Sequence, residues 1–343
     1  MTTLGMVGCR VENPAYSGVG LVPFETAFEL IDSVGLNATT GDPIADPIKV
    51  VRWGRRFAVL DQIQGNVKVF DPSGSWLRSV GRPGDGPGES RLVSDVVVTQ
   101  DDMLIVLDVG HRRLSTFDSA GVHQGDVAIG GYSLGALERI VDPDGEEWLA
   151  VGATPAPGGV GNGVHILDVK GEHLETIVNV AAPGPPRSTS FGAVSIAVQD
   201  QCVVVGRVYS DTVHLYDPWE VGCGGRSRPE GVPLLLGGPE YFPPAWPRDQ
   251  RALGGAEMLA WSQSQMWLMN VFALGELVIA ELVTADPKER VLYYQYVVGG
   301  SSGGIRVATT RSEQRIVGVQ SDTVYTIGLS VDGNAGLRRY RLR

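Results

Sequence analysis

Val59-Leu60-Asp61, followed by Val69-Phe70-Asp71-Pro72-Ser73-Gly74, returns 47 residues further on as Val106-Leu107-Asp108 and Phe117-Asp118-Ser119-Ala120-Gly121. The second half of the pattern recurs as Leu167-Asp168-Val169-Lys170-Gly171 and, with a longer turn, as Tyr216-Asp217, so the turn aspartates are spaced by 47, 50 and 49 residues. Around the first copy the chain reads as four short β-rich runs: Ile48 to Trp53, Arg56 to Asp61, Asn66 to Asp71 and Trp76 to Val80. Gly, Asp, Pro or Ser stands at the breaks. No run is long enough, or carries the 3.6-residue period, for an amphipathic helix. A four-stranded unit repeated about every 48 residues is the arithmetic of a β-propeller blade.

Counting on from Ile48, the remaining 296 residues hold six such units. After the first, they are expected at about 92 to 128, 137 to 179, 192 to 236, 252 to 298 and 303 to 343. The last two lack the Asp-turn-Gly signature and are placed by spacing. One strand is left over ahead of them, Ala27 to Val34, and its natural place is as the outer strand of the last blade, where it closes the ring. The expected fold is therefore all-β: a six-bladed β-propeller of four-stranded antiparallel blades, ring closed by an N-terminal strand. It occupies residues 26–343, behind a tail of residues 1–25 that reads as a signal remnant or a partner-binding arm.

At these residues the chain resembles a known family. Val-Leu-Asp, then Val-Phe-Asp-Pro-Ser-Gly, then Gly81-Arg82-Pro83-Gly84-Asp85-Gly86-Pro87-Gly88-Glu89 is similar to the bacterial six-bladed propellers related to NHL repeats. Arg315-Ile316-Val317-Gly318-Val319 followed by Arg338 to Leu342 resembles the closing blade of that group. The resemblance implies a fold but no single activity, since members range from peptide-processing lyases to plain binding modules.

Composition agrees with a packed β protein and narrows the partners. Of 343 residues 46 are glycine, and 43% are hydrophobic, enough for a sizeable core. The glycines fall largely at blade turns, which removes them as evidence for phosphate binding. A net charge of −11 repels phosphate backbones, so nucleic acid is not an expected partner. No run of about eighteen apolar residues implies a transmembrane span. Of the three cysteines, Cys202 and Cys223 read either as a disulfide in an oxidising compartment or as two buried small hydrophobes. Cys9 ends Leu4-Gly5-Met6-Val7-Gly8-Cys9, which resembles the end of a bacterial lipoprotein signal and makes it a candidate lipid attachment, although the charged and apolar parts of such a signal are missing.

Each motif that could carry chemistry has a plainer reading. Gly131-Tyr132-Ser133-Leu134-Gly135 fits a nucleophile-elbow pattern but lacks the following helix, so it reads as an inter-blade turn. His165 and His214 fall on third strands, in the register of Lys68 and Ser115, too far apart to share a metal ion. His111, beside Arg112 and Arg113, is the histidine to examine first. Asp142-Pro143-Asp144-Gly145-Glu146-Glu147 reads as a hairpin turn rather than a calcium loop. Gly81 to Glu89 reads as a crossover rather than an anion nest. No catalytic residue, cofactor or metal site is assigned, and the enzyme question leans to the negative.

Two segments read as candidate partner contacts: the proline-stiffened aromatics Tyr241, Phe242 and Trp246, and the cationic Arg338, Arg339, Arg341 and Arg343. The expected function is a non-catalytic interaction or scaffold protein, an accessory subunit docked on the extracytoplasmic side of a membrane-bound complex, energy-transducing or photosynthetic complexes being among the candidates. The alternative is an NHL-like lyase or hydrolase acting on a small molecule or peptide in the axial pocket. A periplasmic or extracytoplasmic, membrane-associated location is expected, with cytoplasmic as the runner-up.

Overall fold

The computed structural model describes residues 22–37, 42–129, 132–155, 163–179, 194–207, 212–219, 232–235, 267–286, 291–300, 303–308, 315–329 and 335–343. Six antiparallel sheets follow one another along the chain. Blade 1 comprises Pro47–Trp53, Arg56–Asp61, Asn66–Phe70 and Trp76–Val80. Blade 2 comprises Val93–Val98, Leu104–Asp108, Arg113–Phe117 and His123–Ala128. Blade 3 comprises Tyr132–Val141, Glu147–Pro155, Gly163–Asp168 and His173–Asn179. Blade 4 comprises Val194–Gln199, Cys202–Arg207, Thr212–Tyr216 and Val232–Leu235.

Blade 5 runs through Trp267–Leu274, Leu277–Asp286, Val291–Gly300 and Gly303–Ala308, and blade 6 through Ile316–Gln320, Thr323–Leu329 and Ala335–Leu342. Spacing alone opened the sixth unit at 303. Hydrogen bonding instead gives Gly303–Ala308 to blade 5, as its fourth strand. Blade 6 takes its own fourth strand from the N-terminus: Phe28–Leu36 pairs antiparallel with Ala335–Leu342. Val22–Pro23 adds a parallel fifth strand to blade 5. Residues 22–25, assigned from sequence to the tail, thus pack as part of the propeller.

Burial explains why the blades stack. In each blade the middle strands are covered on both faces, so they read as continuous apolar runs such as Phe57–Leu60 and Leu104–Leu107. Successive side chains alternate between the two neighbours: Ala58 and Leu60 pack with blade 2, whereas Phe57 and Val59 pack with blade 6. Six such apolar layers, one between each pair of neighbouring blades, make the core. Each fully buried Val, Leu or Phe contributes about 1.5–3 kcal/mol. In the last layer Phe24 stacks on Phe28 at 4.6 Å and meets Tyr340 edge-on at 5.1 Å, so the residues that join blades 5 and 6 are held by aromatic packing.

The repeated aspartates have two distinct tasks. Asp71, Asp118 and Asp168 each cap the turn between third and fourth strands, accepting the amides two and four residues on: Ser73 and Ser75, Ala120 and Val122, Lys170 and Glu172. The aspartates of Val-Leu-Asp are fully buried and clamp the chain entering their own blade. Asp61 accepts from the amides of Ala45 and Asp46, and Asp108 from those of Arg91 and Leu92. The turns joining strands one to two and three to four lie at one end of the propeller, the hairpin end. The two-to-three turns and the crossovers between blades lie at the other, the crossover end.

Candidate functional site

The six inner strands surround an axial cavity of about 660 Å³. By strand register Lys49, Asp95, Ala136, Ser195 and Asn270 occupy equivalent positions, each facing its partner in the second strand of its blade. Arg315, one residue before the paired Ile316, completes the belt, and all six line the cavity. Polar side chains thus stand at one level on five of the six blades.

Two charged groups are built on this belt. On blades 1 to 3, Lys49 Nζ lies 2.6 Å from Asp95 and 2.8 Å from Glu138, and donates to the carbonyl of Leu137 at 3.2 Å. Asp95 also accepts the amide of Leu137 at 2.7 Å, which ties blade 2 to blade 3. Burial opposes the Lys49 charge, but the two carboxylates outweigh it and hold the ammonium pKa above its usual range. Burial raises the Glu138 carboxyl, and the neighbouring Asp95 charge adds to that against the pull of Lys49.

On blades 5 and 6, Glu281 is fully buried and accepts from Asn270 at 2.8 Å and from the Tyr296 hydroxyl at 3.2 Å. The Tyr296 oxygen in turn accepts the amide of Ile316 at 2.8 Å. Arg315 Nε stands 3.7 Å from Glu281, and its guanidinium lies 5.7 Å from the centre of the Tyr294 ring. Burial raises the Glu281 carboxyl in spite of Arg315, and it opposes the Arg315 charge, which Glu281 nonetheless sustains.

These residues were not singled out by sequence reasoning, although a signal exists. Lys49 interrupts Ile48-Val50-Val51 and Asp95 interrupts Val93-Ser94-Val96-Val97-Val98, each a single charge inside an apolar inner-strand run. A charge buried in such a run is costly unless it is paired, so matching registers in successive blades could have pointed to the belt.

The motifs read from sequence lie elsewhere. His165 is buried on the third strand of blade 3, where Nδ1 meets Thr176 Oγ1 at 2.9 Å; Ser115 and Asp126 form the equivalent rung in blade 2 at 2.7 Å. His111 sits at the crossover end between Asp108, 2.5 Å from Nδ1, and Asp85, 3.0 Å from Nε2. Asp142 caps the Glu146 amide as a hairpin turn would. The Gly81–Glu89 crossover supplies its own anion: Glu89 accepts the amide of Gly86 at 2.8 Å and pairs with Arg82 at 2.6 Å. Ser133, expected in an inter-blade turn, belongs instead to the inner strand of blade 3, paired with Thr154 ahead of a bulge at Leu134/Ala136. Among the described residues no group of three or more His, Cys, Asp or Glu side chains is arranged to hold a metal ion.

Of the candidate contacts, Arg339 forms a bidentate pair with Asp32, and Arg341 lies 2.9 Å from Glu29. Both therefore bind the last blade to the closing strand. Arg338 lies on the same strand, and Arg343 donates its amide to Ala27. Cys202 is disulfide-bonded. Cys9, Cys223, Tyr241, Phe242 and Trp246 lie outside the described residues. Among those described, no helix is long and apolar enough to cross a membrane.

The fold and its polar axis define a six-bladed β-propeller. Residues 21–126 match a family model described as a 6-bladed beta-propeller. The likeness to NHL-repeat proteins also holds: the human E3 ubiquitin-protein ligase NHLRC1 is 30% identical over 128 residues, 37% of this chain and 28% of that protein. Among solved structures, a candidate exported protein from Bacteroides fragilis superposes with a TM-score of 0.68 at 12% identity, over 94% of this chain and 97% of that one. A member of the duf4221 family from Bacteroides vulgatus gives 0.58 at 9% identity, over 93% and 99%. The PQQ-bound aldose sugar dehydrogenase of Streptomyces coelicolor gives 0.52 at 13% identity, over 92% and 98%. Neighbours of such varied function share the fold, so function must be argued from sites.

Proposed function

We propose that the protein is a non-catalytic interaction module working outside the cytoplasm, an accessory subunit docked on a membrane-bound assembly. The observation that carries this reading is an arc of exposed apolar side chains on four consecutive blades. Leu30 and Ile31 on blade 6, Leu77 on blade 1, Val122 on blade 2 and Val169 on blade 3 are 39–57% exposed. All five stand near the hairpin end of the outer strands, so a flat partner could cover them together. The Cys202 disulfide supports an oxidising compartment, as does the likeness to a candidate exported protein. Pairing of Cys202 with Cys223, lipid on Cys9, and contacts through Tyr241, Phe242, Trp246, Arg338 and Arg343 belong to the same proposal.

Purification of the tagged protein from its native membranes tests it. A partner that stays bound in high salt, and is lost from an Ile31→Glu/Val122→Glu variant of unchanged melting temperature, is the expected result. A protein released by salt without a stable partner contradicts it. The second reading, a lyase or hydrolase, has the axial cavity in its favour, and stoichiometric metal in the same preparation would support it.

A further inference from the structure

The two charged groups of the axial cavity differ in balance: one sets two carboxylates against one cation, the other one cation against one shared carboxylate. Blades 1 to 3 set one ammonium, Lys49, against two carboxylates, Asp95 and Glu138. With both ionised, that wall keeps a net negative charge and spare acceptor positions. Blades 5 and 6 present Arg315, whose nearest carboxylate, Glu281, is 3.7 Å away and already accepts from Asn270 and Tyr296. Its Nε has no hydrogen-bond partner among the described residues. The Arg315 side chain keeps 19% of its surface exposed and lines the cavity, where a ligand anion can meet its charge. The lining also includes the apolar Val51, Val97 and Val271. The cavity falls within the roughly 300–1,000 Å³ usual for small-molecule sites.

We propose that the axial cavity binds a small zwitterion, its ammonium against Asp95 and Glu138 and its carboxylate against Arg315. Free amino acids and short unblocked peptides share this chemistry. Lys49 positions the acidic wall, since it holds Asp95 and Glu138 together across three blades. Binding here is independent of docking through the rim, and nothing in the arrangement requires a bond to form or break.

The test is equilibrium dialysis of the full chain against two pools, the free amino acids and unblocked dipeptides, with mass-spectrometric readout. Matched pools that are N-acetylated or C-amidated serve as controls. Retention of members of one unblocked pool, at least tenfold above both blocked forms, is the expected result, and the pool retained gives the length of the ligand. Arg315→Gln and Glu138→Gln should each weaken retention about tenfold or more, the loss of one charge-assisted contact. Should either fail to fold by circular dichroism, the charge-removing Arg315→Met and Glu138→Met replace them. No retention from either pool, equal retention of blocked and unblocked forms, or retention unchanged in folded variants at both walls would overturn the proposal.

Discussion

Gly74, in the outer turn of the first blade, rests on the backbone carbonyl of Gly35 in the closing strand of the last. A Cβ at Gly74 would overlap that carbonyl, and the Gly74 oxygen accepts the amide of Asn37 at 2.9 Å. The same seat recurs around the ring. Gly121 lies against Val80 and Arg78 of blade 1, and Gly171 against Val127 of blade 2. The glycine of each repeated turn therefore meets the outer strand of the preceding blade.

Two turn glycines separate contact from conformation. Gly74 and Gly145 have nearly equal φ, +84° and +88°, but nothing lies within 4 Å of a Cβ at Gly145. Gly145→Ala should cost about 1–2 kcal/mol, the left-handed backbone alone. Gly74→Ala should cost roughly 1–3 kcal/mol more through overlap. Urea unfolding of the two variants measures the difference, and equal losses would contradict the seat.

Acid should loosen the crossover end. Hydrogen bonds from Arg91 and then His111 hold the Asp85 carboxyl at about 2, against an ordinary 3.8. Burial raises Asp108, but hydrogen bonds from His111 and the amides of Leu92 and Arg91 outweigh it and leave that carboxyl lowered as well. The folded chain then binds fewer protons than the unfolded one in this window. The stability Asp85 supplies is complete above about pH 4 and lost as the pH falls toward about 2, and Asp108 adds a loss on acidification in the same direction. Melting temperatures of wild type and Asp85→Asn should differ at pH 6 and converge at low pH; a constant gap would show that the pairing is idle.

Lys68 is fully buried and depends on Asp42, which it shares with Ser79. Asp42→Ala strands the ammonium and should cost about 3–5 kcal/mol, toward the lower end because Asp42 is partly exposed. Adding Lys68→Met should restore most of the loss, since an apolar side chain of similar length needs no partner there. A double variant no more stable than Asp42→Ala alone would contradict this account.

Closure rests on packing more than on charge. Phe24→Ala removes the ring between Phe28 and Tyr340 and should cost about 3–5 kcal/mol, with faster hydrogen exchange along residues 28–36. Arg341→Ala breaks an exposed pair with Glu29 and should cost less than about 1 kcal/mol. The reverse ranking would place closure in the ion pairs.

The periodic part of the molecule was open to sequence reading because each blade needs the same turn and the same clamp. Asp71, Asp118 and Asp168 recur since each caps the same turn, and they marked the blades that carry them. Where that turn chemistry stops, spacing alone misplaced Gly303–Ala308 by a blade. Hydrogen bonding is a tertiary choice that a strand-rich stretch with no aspartate does not announce. The belt was harder to see, because Lys49 and Arg315 matter through which side chains the ring brings opposite them, and ring closure is not written in any local stretch. The arginines near the C-terminus showed the converse: Arg339 and Arg341 looked like a free cationic spot until the fold set Asp32 and Glu29 beside them.

Docking through the apolar arc is the central functional claim, and site-specific photo-crosslinking in native membranes tests it most directly. A crosslinker placed in turn at Ile31, Val122 and Val169 should capture one and the same partner from all three positions. The same crosslinker at Ile63, an exposed residue at the crossover end, should not capture that partner. No common partner from the three rim positions, or equal capture at Ile63, would contradict the account.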